Sequence, residues 1–180
     1  PTFELFNAFP VALELKEEDG WSINPDMLKK VIDKKKTNAI MLNSPANPTG
    51  NVLNKNVLEE IADIAVENDL YVFSDEAYEK LTYGKKHVSI GSFNGMENNV
   101  VTFQSFSKSY AMCGFRVGYA VGPKLLMDAM TKIHIYSTLA APTISQKVAT
   151  DALTIKKNYI EKMNKEYDRR RKFIVKRLNE

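Results

Sequence analysis

The 180-residue chain is 44% apolar and 26% charged, a composition that excludes a disordered tail or a fibrous repeat and suits one domain with a sizeable core. Its net charge of +3 is too small to argue for nucleic acid, and a single cysteine, Cys113, excludes an internal disulfide framework and fits a reducing compartment. No apolar run approaches the roughly 18 residues of a membrane span, the N-terminus lacks the form of a signal peptide, and His87, His134 and Cys113 share no metal-ligand spacing.

Residues 1–9 are rich in aromatics, and the apolar–polar alternation of residues 11–15 predicts a strand. Asn24 as N-cap and Pro25 at the first helical position start a helix with an apolar stripe of Met27, Leu28, Val31 and Ile32. Lys34, Lys35 and Lys36 suit its C-terminal, negative end. Residues 38–42 read as a short buried parallel strand, followed by the rigid polar loop 43–50. A helix over 54–68 buries Val57, Leu58, Ile61, Ile64 and Ala65, and a second short strand over 70–73 leads into Ser74, Asp75 and Glu76. Residues 84–99 read as an exposed loop.

Residues 100–104 form the next strand and 117–121 another. Too few residues separate them for a crossover helix, so the second is expected to run antiparallel to its neighbours. Pro123 starts a helix to about Tyr136, residues 137–142 form a loop, and helices follow over 143–154 and 156–178. The basic run Arg169, Arg170, Arg171, Lys172, Lys176 and Arg177 reads as the solvated face of the last helix. Strand alternating with helix predicts an α/β three-layer αβα sandwich with a mostly parallel sheet. In such sheets ligands sit beyond the carboxyl ends of the strands, where Asn47, Asp75 and residues 105–108 fall.

Those positions suggest a chemistry. Lys108, in the break after a strand, is placed for partial desolvation, which frees a lysine amine as a nucleophile toward a carbonyl. Ser105, Ser107 and Arg116 together offer a phosphate cradle. An amine for an aldehyde beside a phosphate cradle is what pyridoxal 5'-phosphate requires. Asp75 suits two roles, an ionised partner for a pyridinium nitrogen or a helix N-cap. Tyr78, three residues on, is either a donor to the cofactor's ring oxygen or a half-buried core tyrosine. The Asn47 amide either reaches the same oxygen or serves the turn.

The ordered motifs Pro45-Ala46-Asn47-Pro48-Thr49-Gly50, Asp75-Glu76-x-Tyr78, Ser105-x-Ser107-Lys108 and Gly114-x-Arg116-x-Gly118-Tyr119 resemble the class I/II aminotransferases, fold type I of the pyridoxal-phosphate enzymes. The first departs slightly, with Ser44 inserted between Asn43 and Pro45. The resemblance covers nearly the whole chain. It implies that Lys108 is the Schiff-base lysine and catalytic acid/base, that Asp75 pairs with the pyridine nitrogen, and that Asn47 and Tyr78 contact the ring hydroxyl. It implies too that Ser105, Ser107 and Arg116 hold the phosphate and that Asn47–Pro48 is cis.

Residues 1–155 then correspond to the cofactor-binding large domain without its N-terminal part, and 156–180 to a helix leading to a small domain outside the sequence. The chain opens at Pro1 without a methionine and closes inside a helical pattern, so it reads as the middle of a longer enzyme, weakly active or inactive alone. The implied reaction moves an amino group between an L-amino acid and a 2-oxo acid, of the aspartate or aromatic type, in a cytoplasmic homodimer that approaches its partner's site through residues 136–142. No nucleic acid or membrane partner is expected. Two rivals share the pattern: a carbon–sulfur lyase or aminocyclopropane-carboxylate synthase, and the non-catalytic sensor domain of a transcriptional regulator.

Overall fold

The computed structural model describes residues 3–154 and 158–180. The expected N-cap at Asn24 forms: its Oδ1 accepts from the Asp26 and Met27 amides at 2.9 and 3.3 Å, and α1 (Pro25–Val31) follows with Leu28 buried. The helix stops before the lysine run. Asp33 captures the chain instead, its side chain accepting from Lys35 N and its carbonyl from Lys36 N and Thr37 N, so the lysines sit on a turn. An aspartate that can bond its own backbone two residues on competes with helix continuation.

Four strands make one sheet in the order β1 (Ala39–Asn43), β2 (Tyr71–Asp75), β3 (Val100–Ser105), β4 (Gly118–Val121). The first two pairings are parallel, from Ala39 opposite Tyr71 to Asn43 opposite Asp75, and from Val72 opposite Val100 to Asp75 opposite Phe103. β4 is antiparallel to β3, as its short connection requires, with Ser105 opposite Gly118. The fold is the expected α/β type with a mostly parallel sheet.

Strand pleating sends alternate side chains to opposite faces. On one face Ile40, Leu42, Val72 and Val100 pack with Leu58, Ile61, Ala62, Ile64 and Ala65 of α2 (Lys55–Glu67), and with Leu28. Each fully buried aliphatic side chain there contributes about 1.5–3 kcal/mol. The other face is barer: Met41 of β1 is 66% exposed. α3 (Phe106–Ser109) is a single turn, backed by a smaller cluster of Phe106, Met112, Val117 and, from α5 (Thr143–Thr154), Ala149 and Ala152.

Two expectations change. Residues 11–15 are not a strand: only Leu13 packs against the core while Val11 stays exposed, and no ladder partner lies beside them among the described residues. Residues 84–99 are not a simple exposed loop, because Ile90, in a 3-10 turn (Ile90–Ser92), and Met96 are fully buried. Two fully buried anchors six residues apart in a polar stretch are too sparse to give a periodic signal.

The remaining helices are α4 (Lys124–Thr138) and α6 (Asn158–Leu178). Residues 155–157, where the expected domain boundary and the expected start of the last helix fall, lie outside the described residues. The basic run on α6 is exposed and ion-paired: Glu166 accepts from Arg169 and Arg170, and Asp168 from Arg171 and Lys172. The hydrogen bonds from Arg169 and then Arg170 pull the Glu166 pKa from 4.5 down to about 2. A depressed carboxylate contributes stability that is present above its unfolded value and lost as pH falls through its folded one. The carboxyl carbon of Glu166 is therefore expected to titrate near 2 by NMR. The Glu166 contribution to α6 helicity, isolated as the difference from Glu166→Gln, fades between about pH 4.5 and 2.

Candidate functional site

Three strand ends and one loop meet at the carboxyl edge of the sheet. After β1, the loop 44–50 is held from within. Both Ser44–Pro45 and Asn47–Pro48 are cis, the second as expected. Ser44, buried, accepts the Leu53 amide at 3.1 Å on its Oγ, and Asn43 Oδ1 accepts the Asn47 amide at 3.0 Å. Ser44, the departure from the motif, is thus an internal fastening of the loop. The loop presents Asn47, whose Nδ2 donates to the Tyr78 hydroxyl at 3.3 Å.

Asp75 ends β2 on the barer face and lines an open depression of about 300 Å³ with Met41, Ala77, Phe103, Gln104 and Ser105. Its Oδ1 accepts from Ala77 N at 3.1 Å. No helix follows: residues 77–80 form a turn, so Asp75 caps a turn and Tyr78 does not sit on a helical face as its spacing suggested. Tyr78 is half-buried, and the Nζ of Lys108 lies 5.5 Å from its ring centroid, within cation–π range. Asn47, Tyr78 and Lys108 therefore converge although three separate segments carry them.

Ser105 ends β3 and caps α3, its Oγ accepting from Ser107 N at 3.2 Å. Lys108 rides on that turn and is exposed, so the desolvation expected for it is not provided by burial in this chain. Arg116 adopts a left-handed backbone conformation (φ 51°) two residues before Gly118, the partner of Ser105. Its guanidinium is engaged elsewhere: Nη1 donates to the Cys113 carbonyl at 3.0 Å, and the side chain is exposed. Backbone pairing brings Arg116 to the cradle, but its guanidinium turns aside.

A second cleft, of about 490 Å³, opens between the loop 45–50, Tyr78, residues 81–83, Lys85 and Arg171. Arg171 lies 5.2 Å from the Tyr83 ring centroid, and Asn164 Nδ2 donates to the Thr82 carbonyl at 3.1 Å. Burial raises the Tyr83 pKa, against the opposing pull of Arg171.

The group that sequence reasoning missed is Glu76. It is 1% exposed and accepts from Ser74 Oγ at 3.0 Å, Ser89 Oγ at 2.8 Å, His87 Nε2 at 2.9 Å and Gln104 Nε2 at 3.5 Å. A signal was present: Glu76 shares strand parity with the buried Val72 and Ser74. A carboxylate on the inward parity requires buried donors.

Several solved structures that share this architecture are named as aminotransferases. They include the aspartate aminotransferase of Thermus thermophilus, crystallised as a double mutant (TM-score 0.92, 36% identity, 98% of this chain and 46% of that one). The N-succinyldiaminopimelate aminotransferase of Mycobacterium tuberculosis superposes with a TM-score of 0.93 at 28% identity, over 98% of this chain and 46% of that one. The profile of the family "Aminotransferase class I and II" matches residues 2–180, and the chain belongs to that family. Among its relatives, an aspartate aminotransferase of Pyrococcus abyssi is 45% identical over all of this chain and 47% of its own length. Aromatic-amino-acid aminotransferase 2 of Thermococcus litoralis is 40% identical over the same shares. The chain thus spans about half the length of the relatives it matches. No helix of the described residues is long and apolar enough to cross a membrane.

Two substitutions test this geometry. A Cβ on Gly118 would lie 2.6 Å from the Gln104 carbonyl oxygen, whereas one on Gly114 meets nothing within 4 Å. Gly118→Ala is expected to destabilise by about 1–3 kcal/mol in chemical denaturation, as overpacking does. Gly114→Ala should stay within about 0.5 kcal/mol. Ser105→Ala, which removes the cap on Ser107 N, is expected to cost about 1 kcal/mol in the same measurement.

Proposed function

We propose that the chain is the cofactor-binding core of a pyridoxal-phosphate-dependent aminotransferase acting on an L-amino acid and a 2-oxo acid, of the aspartate or aromatic type named for its relatives. The observation that carries the reading is the meeting of Asn47, Tyr78 and Lys108 at the same sheet edge as Asp75. The residues suit the cofactor. A carboxylate lines a depression walled by Met41 and Phe103, fit for a flat ring with a basic nitrogen. An amide and a phenol already in contact can share a ring oxygen. A lysine stands over the phenol, and a capped turn with Ser105 and Ser107 stands beside Arg116.

Pyridoxal phosphate supplies an electron sink that stabilises a carbanion at the substrate α-carbon. The chain's own groups do the rest. Asp75, ionised, favours a protonated ring nitrogen. Asn47 and Tyr78 orient the ring through its oxygen. Ser105 and Ser107 hold the phosphate with Arg116, once its guanidinium swings from the Cys113 carbonyl. Lys108 would hold the cofactor's carbonyl carbon through Nζ, and as a free amine that Nζ would accept the substrate α-proton and return it.

In this reading the chain up to residue 155 serves as the cofactor-binding part, and α6 (Asn158–Leu178) leads toward a small domain. A homodimer completes the site, a reading supported by the exposure of Tyr136 (93%), in the last turn of α4, and of Leu139 (77%), just after it. Because the relatives are about twice as long, the 180 residues alone are expected to turn over at a small fraction of the intact protein's rate.

Borohydride reduction of the intact, cofactor-loaded protein and peptide mapping should label Lys108. Lys108→Ala should abolish both the label and amino-group exchange. A label on another lysine overturns the assignment. Keto-acid-dependent exchange separates a transaminase from a lyase, which would release pyruvate and ammonia without a second keto acid.

A further inference from the structure

Asp75 and Glu76 are consecutive carboxylates with opposite surroundings. Asp75 looks onto the open depression. Glu76, one residue on and therefore on the other side of the pleat, is fully buried and ringed by four donors. Those donors come from three segments: Ser74 from β2, His87 and Ser89 from the chain before the 3-10 turn at Ile90, and Gln104 from β3. Glu76 also extends the ladder, its amide donating to the Phe103 carbonyl at 3.0 Å.

The His87 contact is itself enclosed. The imidazole side chain is 8% exposed, and Nδ1 has no partner among the described residues. Placing the ring proton on Nε2 satisfies Glu76 and leaves only a bare lone pair at Nδ1, the less costly atom to bury.

The two ends of this cluster lead into the site. Glu76 precedes the turn that carries Tyr78 and follows Asp75 directly. Gln104 precedes Ser105, the cap of the turn that carries Lys108. A bond from Gln104 to Glu76 therefore joins, from behind the sheet, the segment holding the acid and phenol to the segment holding the amine.

We propose that Glu76, with His87 and Gln104, forms a positioning cluster that fixes the separation of Asp75 and Tyr78 from Lys108, and thereby the seating of the cofactor. The inference rests on the cofactor reading above and extends it to Glu76 and His87, on the packed side of the sheet, and to Gln104, which also borders the depression. Ionised oxygens take hydrogen bonds roughly twice as strong as neutral ones, and a buried carboxylate that loses a donor carries a desolvation cost that a shift of its backbone relieves. Here that backbone belongs to residues 75–78.

The test uses the intact protein loaded with pyridoxal phosphate. Three variants are compared with wild type: Glu76→Gln, which keeps shape but sets an amide against His87 and Gln104; Gln104→Met, which removes only the cross-strand bond; and Ile64→Val, a core change remote in role. Three quantities are read: the pH midpoint of the bound cofactor's absorption band, the rate of cofactor release, and the melting temperature of the cofactor-free protein. The Gln104 contact is long, at 3.5 Å, so Gln104→Met is expected to speed release by about twofold, the low end of a hydrogen bond's contribution. Glu76→Gln should speed release by about tenfold or more and shift the midpoint by about half a pH unit, as a displaced ionised neighbour does.

Ile64→Val should lower the melting temperature while leaving midpoint and release as in wild type. If Glu76→Gln and Gln104→Met behave like Ile64→Val, the cluster serves the fold alone and the proposal is overturned. If Glu76→Gln does not fold, Gln104→Met decides by the same two readouts. Wild-type protein that shows no cofactor band and no label on Lys108 sinks the cofactor reading itself, a result distinct from a loaded protein indifferent to residue 104.

Discussion

The pleat at the end of β2 governs the arrangement. Side chains alternate across a strand, so two adjacent carboxylates cannot share one environment. Asp75 is left facing an open, mostly apolar hollow, while Glu76 is driven into the packed side among hydroxyls, an imidazole and an amide. One face of the sheet is built for order and the other for a ligand. The parallel register from β1 to β3 then sets the ends of β1 and β2 level, with β3 running two residues beyond them, so that short turns leaving the strands deliver Asn47, Tyr78 and Lys108 to one edge.

What the sequence made legible follows a physical rule. Features carried by local chemistry were readable: Asn24 and Pro25 start a helix because a side-chain acceptor and a preset φ suit its first turn. The direction of β4 was readable because a short connection cannot cross over. The family motifs placed Asn47, Asp75 and Lys108 at one end of the sheet, where they stand. Features that depend on partners far along the chain were not readable. Residues 11–15 alternate correctly, but alternation without a neighbouring strand gives no ladder. Ile90 and Met96 lie in a polar stretch without a period, so their burial has no local signature. The Glu76 cluster draws on residues up to 28 positions away, and only its parity hinted at burial.

Arg116 and Lys108 show a different gap. Residue type and order put both after the end of β3 on the backbone, yet side-chain direction depends on what else occupies the space. The Arg116 guanidinium takes the nearby Cys113 carbonyl, and Lys108 stands in solvent above Tyr78. Long, flexible cations adopt the partner at hand, so a motif fixes their anchorage before it fixes their tips. The rigid groups, Ser44 in its loop and Ser105 in its cap, already hold their bonds.

The ties from α6 to the segment after Tyr78 carry a mechanical consequence. Asn164 and Arg171 are seven residues apart, about two helical turns, so both project from one side of the rod onto Thr82 and Tyr83. A rod gripped at two levels cannot roll without dragging what it grips. Torque applied at the far end of α6 is thus transmitted to the strap that ends in the Tyr78 phenol, and the ring oxygen's proposed donor becomes a gauge of how that distant end is held.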